Sequence, residues 1–414
     1  MRVLHTADWH LGQNLYGKSR QAEHEAFLRW LIEQIDDNHV DAVVVAGDVF
    51  DTGTPPSYAR KLLNNFVVEL QKHNCQLVLL AGNHDAVATL NESQQIFTCL
   101  NTQLITAVIP EPSHPNYSQQ IIPLHNRQGE LSVLLCAVPY IRATDVTLSK
   151  RDSSAQEKKD ALFQGIHDHY QNLFAAAQMQ QAAAKQPVAI MATGHLTAAG
   201  SALTDSVREL YIGLLDALPA SAFPAADYIA LGHIHRSQLV GQCNHIRYCG
   251  SPIPLSFDEL NKAKEVLLVD FAAGKLVQIT PLLIPIFQPM QTIKGNEQEI
   301  QTQLSAFSAA NSATPVWVDV EVNSALHRND LHQQILKFVE KSPVEILRLR
   351  LAKTAQNNAT QTAEKVTLEE LKPEDVFEQC LVQKDFEEDL QQRLRNCFKQ
   401  TLSQIYENQT EAAL

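Results

Sequence analysis

Long apolar runs, paired cysteines and an excess of positive charge are all missing from this 414-residue chain. Its longest apolar stretches fall far short of the ~20 residues that cross a bilayer, which excludes an ordinary transmembrane helix. The seven cysteines (Cys75, Cys99, Cys136, Cys243, Cys249, Cys380 and Cys397) are scattered, odd in number and never spaced C-x-x-C. That excludes a zinc ribbon or disulfide framework and leaves reduced thiols in a cytoplasmic protein as the expectation. With 33 basic and 46 acidic residues the net charge is −13, which argues against a chain that coats nucleic acid by itself. The deficit is uneven. Residues 285–355 are neutral, 356–414 carry −6, and the first 284 carry −7. Internal repeats are also lacking. The N-terminus enters a strand pattern and a polar cluster almost at once, so a cleaved signal peptide is not expected.

What is present is a set of five short polar clusters within the first 235 residues. They read Asp8-Trp9-His10, Gly47-Asp48-Val49-Phe50-Asp51, Gly82-Asn83-His84-Asp85, Gly194-His195 and Gly232-His233-Ile234-His235. Each follows an apolar run such as Ala42–Ala46 or Leu77–Ala81, which reads as a buried strand. Asp, Asn and His are thereby delivered to strand ends, where open α/β sheets place their sites. Singly, each cluster has a bland explanation. Asp-x-His is common, Gly-Asn-His-Asp suits a turn, and Gly-His-Ile-His suits a strand end with solvated imidazoles. Five in succession, each behind a strand, do not arise by accident. Hard oxygens mixed with imidazoles suit Mn, Fe or Zn rather than a thiolate site. A ligand set this large, with one Asp free to bridge, implies two metals and hydrolysis of a phosphate ester.

The order of the clusters resembles the calcineurin-like metallophosphoesterase superfamily. Val138–Arg142, Arg208–Gly213 and Gly250–Glu259 are similar to the DNA-nuclease branch of that superfamily, and the likeness covers most of residues 1–290. It implies that Asp8, His10, Asp48 and His235 hold one divalent ion. Asp48, Asn83, His195 and His233 hold the second, with Asp48 as the bridge and Mn²⁺ as the metal. His233 and His235 alternate, so they face opposite ways on a strand but serve two adjacent ions from a loop. The resemblance makes His84 the catalytic histidine and Asp51 the carboxylate that orients it. Asp85 is read as structural, accepting backbone N–H bonds. Arg142 is a candidate phosphate contact, with a salt bridge as its alternative. His5, His24, His39, His73 and His245 are read as ordinary structural or surface histidines.

Strand patterns at 3–8, 42–47, 77–81, 131–138, 188–194, 228–232 and 265–271 alternate with helical patterns at 21–37, 57–73 and 157–184, which predicts an α/β fold. The resemblance implies two facing sheets with helices outside. Pro281, Pro285 and Pro289 mark a boundary. The chain is therefore divided into a phosphoesterase domain (1–284), a small α/β cap (285–353), a linker (354–366) and a helical tail (367–414). Within the cap the expectation is a helix at 296–308, a strand at 316–322, a helix at 329–340 and a strand at 345–351. Arg348 and Arg350 alternate with leucines and project from one strand face. They are candidate contacts to DNA phosphates, with Lys337, Lys341 and Lys353 beside them. In the tail, Phe386, Leu390, Leu394, Phe398 and Leu402 recur at helical spacing.

The resemblance implies that this tail docks on a coiled-coil, SMC-like ATPase in a heterotetramer. It also implies a homodimer through the 57–73 and 90–100 helices. The expected activity is a Mn-dependent double-strand exonuclease and single-strand or hairpin endonuclease, acting on DNA ends in recombination, replication and repair. The setting is cytoplasmic, close to the nucleoid. Two rivals are a phosphodiesterase for small substrates, which has no need of a cap and detached tail, and a non-catalytic DNA-end scaffold, which has no need of a full ligand set with His84.

Overall fold

The computed structural model describes residues 1–108, 117–147, 154–204, 206–207, 218–307, 314–323, 343–351 and a few positions between 391 and 398. The chain divides into two compact units, Met1–Ala352 and Lys353–Leu414. Among the described residues no helix is long and apolar enough to cross a membrane.

Two six-stranded sheets face each other in the first unit. Numbered in chain order, the first sheet runs β14 (Lys275–Leu283), β13 (Glu265–Ala272), β1 (Arg2–Thr6), β4 (Ala42–Ala46), β5 (Gln76–Leu80) and β6 (Thr102–Ile105). From β1 to β6 the pairing is parallel, while β13 and β14 join antiparallel. The second sheet runs β11 (Gln238–Val240), β12 (Cys243–Tyr248), β10 (Tyr228–Gly232), β9 (Ala189–His195), β8 (Leu131–Cys136) and β7 (Ile121–His125). Its four central strands are parallel and both edges antiparallel. A two-stranded hairpin, β2 (Asn14–Leu15) with β3 (Lys18–Ser19), follows the first ligand loop.

Alternation decides the layers. In β4 all five residues are buried, as expected of a parallel strand covered on both faces. Ala42 and Val44 pack between the sheets against Leu135, Met191 and Ala230. Val43 and Val45 point outward to Phe27, Leu31, Phe66 and Leu70 on helices α1 (Gln21–Asp37) and α2 (Ser57–Leu70). Short helices α3 (Val87–Asn91), α4 (Gln94–Cys99) and α5 (Ala143–Val146) lead to α6 (Ala155–Ala183). A Ser154–Glu157 capping box starts α6, which lays Leu162, Ile166, Tyr170, Leu173 and Ala177 on the outer face of the second sheet. Each of the buried leucines and Ile166 contributes about 1.5–3 kcal/mol relative to exposure. The result is the helix–sheet–sheet–helix order of a calcineurin-like phosphoesterase.

Pro281 lies within edge strand β14, opposite Leu267, where the lost N–H costs no ladder bond. The chain then passes to a parallel three-stranded sheet, β15 (Met290–Gly295), β16 (Val316–Val322) and β17 (Val344–Leu351), covered by α7 (Glu297–Ala306) through Ile300 and Leu304. The helix expected at 329–340 lies outside the described residues, as do Arg208–Gly213, Lys337, Lys341 and Lys353. This small sheet leans on the two-sheet core. Trp317 packs with Leu15 and Phe257, and the Arg20 guanidinium sits 5.8 Å above the Trp317 ring. Arg348 donates to the Tyr16 hydroxyl at 2.9 Å, and Lys18 pairs with Glu345.

Candidate metal centre

All five polar clusters arrive at the C-terminal ends of parallel strands, β1, β4 and β5 from one sheet and β9 and β10 from the other. The loops are stitched together: Asp8 N donates to Gly47 O, His10 N to Asp48 O and Leu11 N to Val49 O, each at 3.0 Å. Asp8, His10, Asp48 and His233 all stand on left-handed backbone, with φ of 54°, 46°, 49° and 90°. Non-glycine residues there cost of order 1–3 kcal/mol each and cluster at functional sites. The glycines preceding the ligands have a packing reason. A Cβ on Gly82 would lie 2.1 Å from Asp48 Oδ1, and one on Gly232 would lie 1.9 Å from Ala46 O.

The side chains converge in two groups that share Asp48. Asp8, His10, Asp48 and His235 form one, and Asp48, His195 and His233 form the other. Asn83 joins the second group, its Oδ1 at 2.9 Å from His195 Nε2 and 3.0 Å from His233 Nδ1. Asp48 Oδ2 lies 3.6 Å from His10 Nε2 and 3.1 Å from His195 Nε2. Because β10 ends at Gly232, His233 and His235 sit in a loop and reach different groups.

Three observations fit divalent cations. Asp8 Oδ2 is fully buried and has no hydrogen-bond partner among the described residues. His10 Nε2 and His235 Nε2 face each other at 3.2 Å, an arrangement that two neutral acceptors do not favour without a cation or proton between them. The far nitrogens of several ligands are already committed, as metal-binding histidines require. His10 Nδ1 meets Asp51 Oδ1 at 3.2 Å, His195 Nδ1 meets Ala46 O at 2.8 Å, and His235 Nδ1 meets Ser206 Oγ at 2.6 Å. A hard-oxygen and imidazole set of this kind binds a divalent metal.

The buried acids and imidazoles shift one another's titration strongly. Burial disfavours a charged His195, yet Asp48 outweighs burial and raises its pKa to about 9. Burial likewise opposes ionised Asp48, and His195 outweighs it, holding the carboxyl well below its usual range. His233 is pushed down to about 3, first by burial and then by His195. His84 is lowered chiefly by burial. Asp85 rises to about 6 because burial and Asp48 outweigh three backbone donors, Val49 N, Phe50 N and Gly82 N, at 2.9–3.0 Å.

Two expected placements differ in detail. The contact between His84 and Asp51 runs through the main-chain carbonyl: His84 Nδ1 donates to Asp51 O at 2.7 Å. The Asp51 carboxylate turns instead to His10. Arg142 is not among the residues lining the cleft. It caps α5 with Asp145 and lies 5.9 Å from the ring of Tyr140, whose edge contacts His195. His5 and His24 are fully buried, and burial lowers the pKa of each to about 3. His5 meets the Tyr228 hydroxyl at 2.9 Å, between the sheets.

A cleft of about 1060 Å³ opens over the centre. His10, Asp51, His84 and His235 line it, together with Tyr16, Phe257, Asp319, Arg348 and Arg350. The two arginines do share a face, but acids accompany them. Arg350 pairs with Asp319 and Glu321 at 3.0 Å, and Arg348 lies 4.0 Å from Asp319. Ser206, Glu259 and Lys264 surround His235; Glu259 ends the Gly250–Glu259 segment that carries part of the resemblance, whereas Ser206 and Lys264 belong to no motif in the sequence. In the tail, Leu394 and Phe398 are helical and half-buried, while Phe386, Leu390 and Leu402 lie outside the described residues.

Known proteins share this arrangement of sequence. Residues 1–237 match the calcineurin-like phosphoesterase family, and residues 286–385 match the type 5 capsule protein repressor C-terminal domain. The SbcCD nuclease D chain of Escherichia coli (strain K12) is 47% identical over 402 residues, spanning 97% of this chain and 98% of that protein. Its namesake in Rhodobacter capsulatus is 34% identical over 290 residues, 69% of this chain and 70% of that one. The Bacillus subtilis (strain 168) namesake is 31% identical over 341 residues, 80% and 82% respectively. The chain belongs to the calcineurin-like phosphoesterases, within the family of SbcCD nuclease D chains.

Proposed function

We propose that this chain is a two-metal, Mn²⁺-dependent DNA phosphodiesterase, acting as double-strand exonuclease and single-strand or hairpin endonuclease. The single observation that carries the reading is the buried carboxylate of Asp48, shared by two complete ligand groups. Asp8, His10, Asp48 and His235 would hold one ion, and Asp48, Asn83, His195 and His233 the other. Two ions held by these residues would supply acidity for a water nucleophile and positive charge beside the phosphate. The protein's own groups do the rest. His84 keeps its Nδ1 proton on Asp51 O and lines the cleft with the rest of its ring, where Nε2, once protonated from solvent, would give that proton to the leaving oxygen and return to the neutral imidazole. Arg348, on the opposite wall, contacts a backbone phosphate without reading sequence.

The cleft also favours a polymer over a small phosphodiester. Its volume of about 1060 Å³ lies at the upper end of small-molecule pockets, and the three-stranded sheet lines one side through Met290, Asp319, Arg348 and Arg350. In this reading residues 1–284 carry the chemistry, 285–353 cap it, 354–366 link, and 367–414 dock on a coiled-coil ATPase, the C partner that the name SbcCD implies. Val68 on α2 and Ile96 on α4, 53% and 64% exposed, support pairing of two copies through these helices in a heterotetramer. The setting is the cytoplasm, in recombination, replication and repair. The test is hydrolysis of end-labelled linear duplex and hairpin DNA with Mn²⁺, with and without the ATPase. Cleavage in both formats supports the reading. Hydrolysis confined to small phosphodiesters refutes it.

A further inference from the structure

One of the two ligand groups is held by more than loops. His235 is gripped at both ends by a buried ion pair that no ligand motif includes. Glu259 is 4% exposed, and its Oε2 accepts from Lys264 Nζ at 2.6 Å, Leu255 N at 3.1 Å and Ser251 Oγ at 3.2 Å. Its Oε1 accepts from Ser206 Oγ and stands 3.4 Å from His235 Nδ1. Ser206 Oγ lies between them, 2.6 Å from His235 Nδ1. Lys264 meanwhile donates to the main-chain oxygen of His235 at 2.9 Å. Side chain and backbone of the same ligand are thus fixed by one charged pair.

We infer that Ser206, Glu259 and Lys264 form a positioning unit that fixes His235 for metal binding and acts on one of the two metal sites only. The hydroxyl can donate to only one partner. If it donates to Glu259 Oε1, it accepts from His235, so Nδ1 carries the proton. Nε2 is then a lone pair, and it is the atom that faces His10 Nε2. The other ligand group is oriented differently. His195 leans on the main-chain oxygen of Ala46, and Asn83 Oδ1 sits between His195 and His233. Among the described residues, no hydrogen bond of Ser206, Glu259 or Lys264 reaches that group. Outer partners of this kind typically set 10–100-fold in metal affinity. Ser206 also lines the cleft, so the wall against which substrate lies and the backing of His235 are the same residue.

The inference rests on the two-metal reading and is tested separately from it. The full-length chain, stripped with a chelator, is titrated with Mn²⁺ by calorimetry, and the coupled-ion signal is followed by electron paramagnetic resonance. Ser206→Ala removes the bridging hydroxyl and keeps the ion pair. One of two binding events should weaken about 10–100-fold, the other should be unchanged, and the coupled signal should fall at limiting Mn²⁺. Ser206→Thr, which restores the hydroxyl, should restore both. The double variant Glu259→Gln with Lys264→Met removes the pair without orphaning a charge and should reproduce the selective loss, with thermal melting as the check of fold. Unchanged affinities in folded Ser206→Ala, or equal weakening of both sites, would overturn the inference. If the wild type holds a single ion, the two-metal reading fails by itself. The positioning unit is then supported by weakening of that ion in Ser206→Ala and refuted by its constancy.

Discussion

Asp51 has two jobs carried by two different atoms, and a pair of substitutions separates them. Its carbonyl oxygen orients His84, while its carboxylate backs His10. Asp51→Asn keeps the carbonyl and loses the charge on His10, so Mn²⁺ affinity should fall about 10–100-fold. Saturating Mn²⁺ should then recover most of the turnover. His84→Gln should leave metal affinity and DNA binding intact and lower kcat by roughly 10²–10⁴-fold, with no recovery on adding metal. Steady-state rates across a Mn²⁺ series read both outcomes. Rates of Asp51→Asn that stay low at saturating metal would place its carboxylate on the reaction itself.

At the scale of elements, β17 presents two arginines that look alike in sequence and differ in surroundings. Arg350 pairs with Asp319 and Glu321 at 3.0 Å, whereas Arg348 stands 4.0 Å from Asp319 and bonds the Tyr16 hydroxyl. Arg348→Ala should lower the salt dependence of DNA binding by about one counterion. Arg350→Ala should change it less and destabilise the small sheet, because Asp319 is buried and loses its 3.0 Å partner. Filter binding across a salt series, with thermal melts, separates them.

The loop carrying Glu259 makes a pH prediction. Burial would raise its pKa, but Lys264 and His235 outweigh burial and hold it below the usual carboxylate range. A carboxyl with a lower folded than unfolded pKa stabilises above about pH 4.3, and this contribution is lost as pH falls below that value. Metal-free wild type should therefore lose melting temperature more steeply in acid than Glu259→Gln with Lys264→Met, measured by calorimetric melts from neutral to acidic pH.

Elements also explain what was legible in the sequence. Buried parallel strands such as Ala42–Ala46 are uniform apolar runs, so they and the polar loops after them stand out. Edge strand β14, with Pro281 inside it and a mixture of polar and apolar residues exposed, has no such signature. Glu259 closes a segment that stands out in the sequence, but its link with Ser206 and Lys264 to His235 does not show there, for a different reason. Their partnership spans segments far apart in sequence, and only tertiary packing brings them to His235. The Asp51 split between carbonyl and carboxylate is equally a matter of loop geometry, which spacing does not encode.

For the whole molecule, the first compact unit ends at Ala352 and contains every candidate ligand. Truncation after Ala363 should therefore leave a folded, metal-loaded enzyme that hydrolyses bis-p-nitrophenyl phosphate and no longer co-purifies with the ATPase. Leu394→Asp with Phe398→Asp should mimic it in the full chain, since two charges on an apolar stripe cost several kcal/mol on docking. Undiminished co-purification would refute tail docking. The central claim, that one buried carboxylate joins two ions, is tested most directly by anomalous scattering from crystals grown with Mn²⁺. The account predicts two peaks about 3.5–4 Å apart astride Asp48, and none in Asp48→Ala. A single peak, or a pair that persists without the Asp48 carboxylate, would contradict it.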